Sequence, residues 1–151
     1  MNKQKTKKLI TNDDYSKMAI KCFNNAEFFY KLCKQNYDNF DIAVPIGANA
    51  AFTIELYFKA ILYKNCKSFK NHNLLNLFNE VDKEDQDFIY NYFDKNFGMK
   101  KELFIRELTY ESDTFCKLRY LFENSEPAIY WNALFLYRLL DLLHKYTHVD
   151  K

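Results

Sequence analysis

The chain has 151 residues and a nearly balanced charge, with 22 basic and 20 acidic side chains and a net charge of +2. This balance excludes a strong overall attraction to nucleic acid, although a local basic patch is still compatible with it. Only 2 glycines and 2 prolines occur, and so few turn residues favour long helices over a sheet with many turns. The length suits one domain with its own core.

The chain starts with a lysine-rich stretch, MNKQKTKKLI, which no apolar signal core follows. We therefore expect a cytoplasmic protein in which residues 1–10 form a flexible basic tail, and an arm that contacts phosphates is the alternative. No apolar run approaches the ~20 residues of a membrane span, so no membrane partner is expected. The four cysteines lack the paired spacing of a zinc site, and neither a metal nor another cofactor is predicted.

Apolar residues recur at helical spacing from the end of the basic tail onward. The first helix is predicted over about Thr11–Asp38, and Thr11 or Asn12 can cap it. The second is predicted over Pro45–Lys64, where apolar side chains cover most sides of the helix. A helix with this pattern lies at the centre of a bundle, so charged side chains within it are expected to be poorly exposed and to need partners.

Shorter helical segments are predicted beyond a polar loop that contains His72, and they span about Leu74–Phe78, Asp82–Gly98, Lys101–Ser112 and Thr114–Asn124. The last helix is predicted from about Glu126 to Tyr146. His144 and His148 fall near its C-terminal end, where a cation suits the helix dipole, and both are expected to be exposed and to bind no metal. The sequence thus predicts an all-α protein, a single-domain, up-and-down helical bundle of four to six helices over residues 11–148.

Two charged pairs at helical spacing are embedded among apolar residues. Glu55 and Lys59 lie one turn apart on the central helix, and Arg119 and Glu123 repeat this arrangement among aromatic residues. A buried charge without a partner is strongly destabilising, so we expect a structural network in which two carboxylates neutralise two cations across facing helices. The alternative is a site for an RNA phosphate or a nucleotide at a helix junction.

Three short motifs resemble, in order, those of the HEPN superfamily of small helical bundles. AAFTIELYFKAILYK is similar to the family's second helix, with Glu followed four residues later by Lys; NHNLLNLF resembles its His-x-Leu-x-x-Leu element, and RYLFE its Arg-Tyr-x-x-Glu segment. The resemblance covers roughly residues 11 to 146. It implies a helical bundle, commonly a homodimer, from prokaryotic toxin–antitoxin, phage-defence or nucleotidyltransferase-associated systems, many of whose members are metal-independent ribonucleases.

The resemblance also implies that an active member carries a histidine beyond an arginine, after four to six intervening residues, at a dimer cleft. No histidine lies at that distance beyond Arg119. Arg138 and His144 match the spacing literally, but Leu139 stands where the family usually has a polar residue, and in an unbroken helix the two side chains point about 120° apart. This favours a chance match.

We therefore expect a HEPN-like, non-enzymatic binding or regulatory subunit of a prokaryotic defence or toxin–antitoxin module. RNA, a nucleotide and a cognate protein are the partners considered, together with a homodimer. The alternative is a metal-independent ribonuclease toxin that acts at the dimer cleft. The candidate binding residues are Glu55, Lys59, His72, Arg119 and Glu123. His72, Arg119 and Glu123 are the catalytic candidates under the alternative, with His72 as a general base that titrates near neutral pH.

Overall fold

The computed structural model describes residues 10–121 and 131–149. Every regular element in these two stretches is helical, which confirms the predicted all-α bundle. Five longer helices and two short ones occur, and they are α1 Asn12–Lys34, α2 Ala43–Lys64, α3 Leu74–Glu80, α4 Lys83–Phe97, α5 Lys101–Glu111, α6 Thr114–Arg119 and α7 Ala133–Val149. A 3-10 turn at Phe40–Ile42 joins α1 to α2. None of the described helices has the apolar length that a bilayer crossing requires.

Helix α2 lies at the centre of the bundle. Twelve of its 22 residues are buried, and it packs against α1, α3, α6 and α7. Because neighbours cover it on several sides, apolar side chains occur around most of its circumference. The low exposure predicted for Glu55 and Lys59 is confirmed. The central helix therefore carries its charged pair into the interior, where the pair can either lock the fold or form part of a site.

A group of aromatic rings fills the core between α3, α4, α5 and α7. Phe78, Phe93, Phe104 and Phe135 are fully buried, and the ring centroids of contacting pairs are 4.9 to 5.7 Å apart. The rings meet tilted or edge-on, as their quadrupoles favour. Burial of each such side chain contributes about 1.5–3 kcal/mol. These contacts hold α7 against the helices that precede it and so fix the direction of its polar side chains.

Local sequence signals set several helix ends. The Thr11 hydroxyl accepts a hydrogen bond from the backbone N–H of Asp14, and the Asp14 carboxylate accepts one from the backbone N–H of Thr11. This capping box starts α1 and confirms Thr11 as its cap. Gly98 ends α4 with a φ of 63°, a left-handed conformation that favours glycine. Helix α1 stops at Lys34, four residues before its predicted end, where the chain turns toward α2.

Helix α7 begins at Ala133, because Trp131 and Asn132 precede it in a non-helical conformation, so the last helix does not run unbroken from its predicted start at Glu126, which itself lies outside the described residues. Asn132 caps the helix through its Oδ1 atom, which accepts the backbone N–H of Phe135 at 3.0 Å. The backbone N–H of Asn132 donates to Oε1 of the buried Glu111 at 2.6 Å. This tertiary hydrogen bond fixes where the chain enters α7, and no local periodicity could reveal it.

Helix α6 is shorter than predicted. It ends at Arg119, and Tyr120 and Leu121 form a turn in which the backbone N–H of Leu121 donates to the carbonyl of Leu118 at 3.4 Å. Such an i→i+3 bond tightens the last turn of a helix and ends it. The rest of the predicted segment, from Phe122 to Asn124, lies outside the described residues. Arg119 therefore sits at a helix end rather than in the middle of a longer helix.

Candidate functional site

Three of the predicted site residues meet at one buried carboxylate, and we call Glu55, Lys59 and His72 the α2 polar cluster. Lys59 Nζ donates to Oε1 of Glu55 at 2.7 Å, and His72 Nδ1 lies 2.8 Å from the same oxygen. An ionised carboxylate only accepts hydrogen bonds, so Nδ1 of His72 carries a proton and donates it to Glu55 in a hydrogen bond. The cluster ties α2 to the loop that precedes α3.

The α2 polar cluster extends from the core to the surface. The side chains of Glu55, Lys59 and His72 are 2%, 16% and 73% exposed, respectively. Oε2 of Glu55 is buried and has no hydrogen-bond partner among the described residues. The carboxylate therefore depends on the Lys59 ammonium for charge compensation, as expected for a buried ion pair. Only His72 presents polar atoms broadly to solvent.

Arg119 stands apart from the α2 polar cluster. Within the described stretches its guanidinium forms no ion pair, and it lies over the rings of Phe115 and Tyr120, 5.8 and 5.4 Å from their centroids. Phe115 in turn stacks on Phe52 of α2 with the centroids 5.2 Å apart. Apolar contact thus joins α6 to α2 where an ion-pair network was expected. Glu123, the fourth residue of that network, lies outside the described residues.

Helices α5 and α6 expose cations and tyrosines in two adjoining groups, Arg106, Tyr110 and Lys117 around one depression, and Arg119 beside Tyr120 at the end of α6. We call this set the basic–aromatic surface, and its members are Arg106, Tyr110, Lys117, Arg119 and Tyr120, all of them exposed. The first three line a shallow depression of about 350 Å³. Tyr110, whose residue exposure is 68%, presents most of its ring to solvent. Within the described residues, the ion pair of Arg106 is a long contact with Glu107, 3.6 Å between Nη2 and Oε1. The surface offers positive charge and flat rings together.

The literal match between Arg138 and His144 does not form a pair. The Arg138 guanidinium lies 4.1 Å from the ring centroid of Phe97, at the end of α4. The His144 ring stacks on Tyr30 of α1, with centroids 3.8 Å apart and planes 12° from parallel. The two side chains leave α7 toward different helices, as their spacing in a helix requires. Among the described residues, no arginine forms an ion pair or hydrogen bond with His72 or His144.

A second polar cluster, which sequence reasoning missed, lies where α1, α2 and α7 meet. Glu27 Oε1 accepts a hydrogen bond from the Tyr57 hydroxyl at 2.5 Å and lies 3.0 Å from Nδ1 of His144. Glu27 Oε2 lies 3.4 Å from Nε2 of His148. We call Glu27, Tyr57, His144 and His148 the α1–α7 cluster. The expectation that His144 is exposed is wrong, because the ring of Tyr30 covers it and the side chain is largely buried.

Only half of the α1–α7 cluster leaves a signal in the sequence. His144 and His148 are four residues apart and therefore share one face of a helix. Glu27 is 117 residues from His144 along the chain, and only the packing of α1 against α7 brings them together. Burial first, and then the hydrogen bond and charge of Glu27, raise the pKa of Tyr57 above its ordinary value. The Tyr57 phenol therefore stays protonated and donates to Glu27.

A third polar group completes the contact between α1 and α7. The Tyr30 and Tyr37 hydroxyls donate to Oδ1 of Asp141 at 3.1 and 3.2 Å, and Lys34 Nζ donates to Oδ2 at 2.7 Å. We call these four residues the Asp141 cluster. Burial first, and then the charge and hydrogen bond of Asp141, raise the pKa of Tyr37 above its ordinary value of 10.0. Both oxygens of the Asp141 carboxylate thus have hydrogen-bond partners, and we assign the cluster a structural role.

The larger of the two described cavities is separate from these polar groups. It has a volume of about 520 Å³ and lies between α1, α2, α7 and the start of α4. Apolar side chains such as Ile20 and Ile61 line it, and Asp82, Glu84 and Asp85 contribute carboxylates. None of the four predicted site residues that the structure describes, Glu55, Lys59, His72 and Arg119, lines it. Volume alone therefore does not identify the functional site.

Comparisons of this chain with protein-family models, with curated proteins and with solved structures found no match.

Proposed function

We propose that this chain is a HEPN-like, non-enzymatic binding subunit of a prokaryotic defence or toxin–antitoxin module, and that it binds single-stranded RNA on the basic–aromatic surface. The observation that carries this proposal is the location of Arg119. Its guanidinium lies over the half-buried ring of Phe115 and the exposed ring of Tyr120, and no histidine of the described residues is hydrogen-bonded to it. An arginine in this position can bind a phosphate through its N–H groups. It cannot act as the general base, because a guanidinium does not give up its proton in proteins.

The environment of the histidines supports binding without cleavage. RNA cleavage through the 2′-hydroxyl needs a base and a phosphate-holding cation within reach of the same nucleotide. His72 Nδ1 is held by Glu55, and His144 Nδ1 is held by Glu27 on another side of α2. Arg119 belongs to neither cluster. The alternative, a metal-independent ribonuclease, would require a histidine from elsewhere to approach Arg119.

The chemistry of the basic–aromatic surface favours single-stranded RNA over other ligands. Cations bind the phosphate backbone, and exposed rings stack on unpaired bases, which no base-paired helix offers. Lys117 and Arg106 line one depression with Tyr110, so both kinds of contact are available within a few nucleotides. Because the net charge of the chain is only +2, the attraction is local rather than a property of the whole protein.

The binding test measures the fluorescence anisotropy of a labelled, unstructured RNA with the full chain and with Lys117→Ala, Arg119→Ala and Tyr110→Ala variants. Loss of a stacked base is worth about 1–3 kcal/mol, so Tyr110→Ala is expected to weaken binding at least about fivefold. Each lysine or arginine variant should also reduce the salt dependence of binding. Lys31→Ala, which removes an exposed lysine from α1, is the matched control and should bind as the unchanged protein does.

The cleavage test incubates total RNA with the protein in the presence of a chelator, beside Arg119→Ala and His72→Ala variants. We expect intact RNA in every sample. Metal-independent cleavage that disappears in both variants would establish the ribonuclease alternative instead. Equal RNA affinity in all surface variants, or no affinity from folded protein, would contradict the proposed binding surface.

The homodimer, a cognate protein partner and the cytoplasmic location stay predictions. Ile20, Phe28 and Leu32 are exposed along α1 at spacings of eight and four residues, which places them on one helix face. An exposed apolar face of this kind supports the homodimer, since burial against a second copy would remove it from water. It lies on a different helix from the basic–aromatic surface, so the two roles are compatible.

A further inference from the structure

We infer that Glu27, His144 and His148 form a binding site for a divalent transition-metal ion, with Zn²⁺ as its representative. Near the C-terminal end of a helix, His144 and His148 are predicted from the sequence to bind no metal, and the inference departs from that expectation. It is independent of the proposed RNA binding. The ligand atoms of these three side chains all lie within 4.8 Å of one another. Among the described residues, no other group of three histidine, cysteine or acidic side chains meets this spacing.

Two of the distances within the site are close to those between the ligands of a tetrahedral ion. Zinc binds imidazole nitrogen and carboxylate oxygen at about 2.0–2.2 Å, so neighbouring ligand atoms around a tetrahedral ion are about 3.4 Å apart. Oε1 of Glu27 lies 3.0 Å from Nδ1 of His144, and its Oε2 lies 3.4 Å from Nε2 of His148. The ligand nitrogens of His144 and His148 lie within 4.8 Å of each other, so side-chain torsions bring them closer when the ion binds, and Nδ1 of His144 releases its proton at that step.

The hydrogen bond made by the other nitrogen of His148 orients its metal-facing atom. Nδ1 of His148 lies 2.6 Å from the backbone carbonyl oxygen of His144. A carbonyl only accepts, so Nδ1 carries a proton, and when the ring is neutral its Nε2 presents a lone pair to the Glu27 carboxylate. Two acceptors then face each other, an arrangement that a cation between them stabilises. A ligating histidine almost always has its other nitrogen bonded in this way.

The surroundings supply the remaining features of a metal site. The Tyr57 hydroxyl donates to Oε1 of Glu27 and so orients the carboxylate. Two imidazoles and one carboxylate suit zinc and other late first-row divalent ions. The His148 side chain is 39% exposed, which leaves an approach for the ion and a fourth position for water. The α2 polar cluster, by contrast, already contains the Lys59 ammonium, whose charge opposes a second cation.

The test uses untagged, full-length protein that has first been stripped with a chelator. Zn²⁺ alone is titrated by calorimetry and by competition with a chromophoric chelator, and Co²⁺ is added separately to record its visible spectrum. We expect one Zn²⁺ per chain, a tetrahedral Co²⁺ spectrum and a higher melting temperature with Zn²⁺. Glu27→Gln and His148→Gln should each weaken Zn²⁺ binding at least about tenfold and abolish the Co²⁺ bands.

Matched controls separate this site from adventitious binding. His72→Gln removes the third histidine of the chain, and Cys66→Ser removes an exposed free thiol; both should bind Zn²⁺ as the unchanged protein does. Circular dichroism establishes that each variant is folded. Equal Zn²⁺ affinity in all variants would overturn the inference, as would the absence of Zn²⁺ and Co²⁺ binding. The basic–aromatic surface shares no residue with the metal site. The outcome of the RNA-binding test therefore does not depend on the outcome of the Zn²⁺ titration.

Discussion

The α2 polar cluster and the α1–α7 cluster share a motif but differ in charge balance. In each, a glutamate oxygen lies within 3.0 Å of a histidine Nδ1. Glu55 also holds the ammonium of Lys59, whereas Glu27 holds a neutral phenol and faces a second imidazole. The first cluster contains its own counter-charge, and the second has more acceptors than fixed cations. A carboxylate–histidine pair therefore stabilises the fold when a cation is buried beside it. Without such a cation, the pair can bind a metal ion.

The largest expected effect comes from removing the counter-charge of the α2 polar cluster. Lys59→Met leaves Glu55 buried beside a single, mostly exposed histidine. Breaking a buried pair by deletion of one partner costs about 3–5 kcal/mol, so the free energy of unfolding should fall by about that amount. Urea denaturation followed by circular dichroism measures it. The double variant Glu55→Gln/Lys59→Met, in which no charge is left unpaired, should recover much of the loss.

An exposed pair of the same spacing provides the control for this prediction. Lys17 and Asp13 are also four residues apart, and their side chains are 72% and 71% exposed. Lys17→Met should therefore cost no more than about 0.5 kcal/mol. If Lys59→Met lowered the free energy of unfolding as little as Lys17→Met does, the α2 polar cluster would not stabilise the fold. The proposed difference in charge balance from the α1–α7 cluster would then be wrong.

Tyr37→Phe, which removes one hydrogen bond from the Asp141 cluster, is expected to have an intermediate effect on the free energy of unfolding. The effect should depend on pH above about pH 10. Burial and Asp141 raise the pKa of Tyr37 in the fold. The neutral phenol thus contributes stability that is complete below about pH 10, and this contribution is lost as the pH rises further toward the folded-state pKa. Tyr37→Phe should lower the stability by about 1 kcal/mol at neutral pH and make its alkaline decline shallower.

Urea midpoints between about pH 8 and pH 11 measure this decline. Tyr110→Phe removes the same hydroxyl from an exposed ring, and it should leave both the stability and the alkaline slope nearly unchanged. An unchanged slope in Tyr37→Phe would mean that the Asp141 cluster does not hold the phenol in its neutral form.

The smallest effect is expected for His72→Ala. The His72 side chain is mostly exposed, and Glu55 keeps Lys59 when the imidazole is removed. We expect a loss of less than about 1 kcal/mol in the free energy of unfolding, again measured with urea. His72→Gln, which retains a hydrogen-bond donor, should lose even less. A loss as large as that of Lys59→Met would show that His72 is as necessary to the buried carboxylate as the lysine.

The predictability of each site follows the distance along the chain between its members. Glu55 and Lys59 are four residues apart on one helix, and His72 follows 17 residues after Glu55. Helical periodicity places Glu55 beside Lys59 and predicts their partners on facing helices, whereas the contact of His72 with Glu55 appears only in the structure. The α1–α7 cluster joins Glu27 to a histidine 117 residues away. No periodicity connects such positions, because their approach depends on the crossing of two helices against a third.

From the sequence alone the chain is predicted to be helical, with α2 at the centre, a first helix that Thr11 or Asn12 caps, and a helix that ends at Gly98. These features follow from local side-chain patterns and from the backbone preferences of a few residues. Tertiary structure alone decided that Arg119 lies among aromatic rings, that Asn132 starts α7, and that Glu27 faces His144 and His148. The physical reason is that packing of the apolar faces fixes the positions of the helices, and the polar side chains meet only where that packing places them.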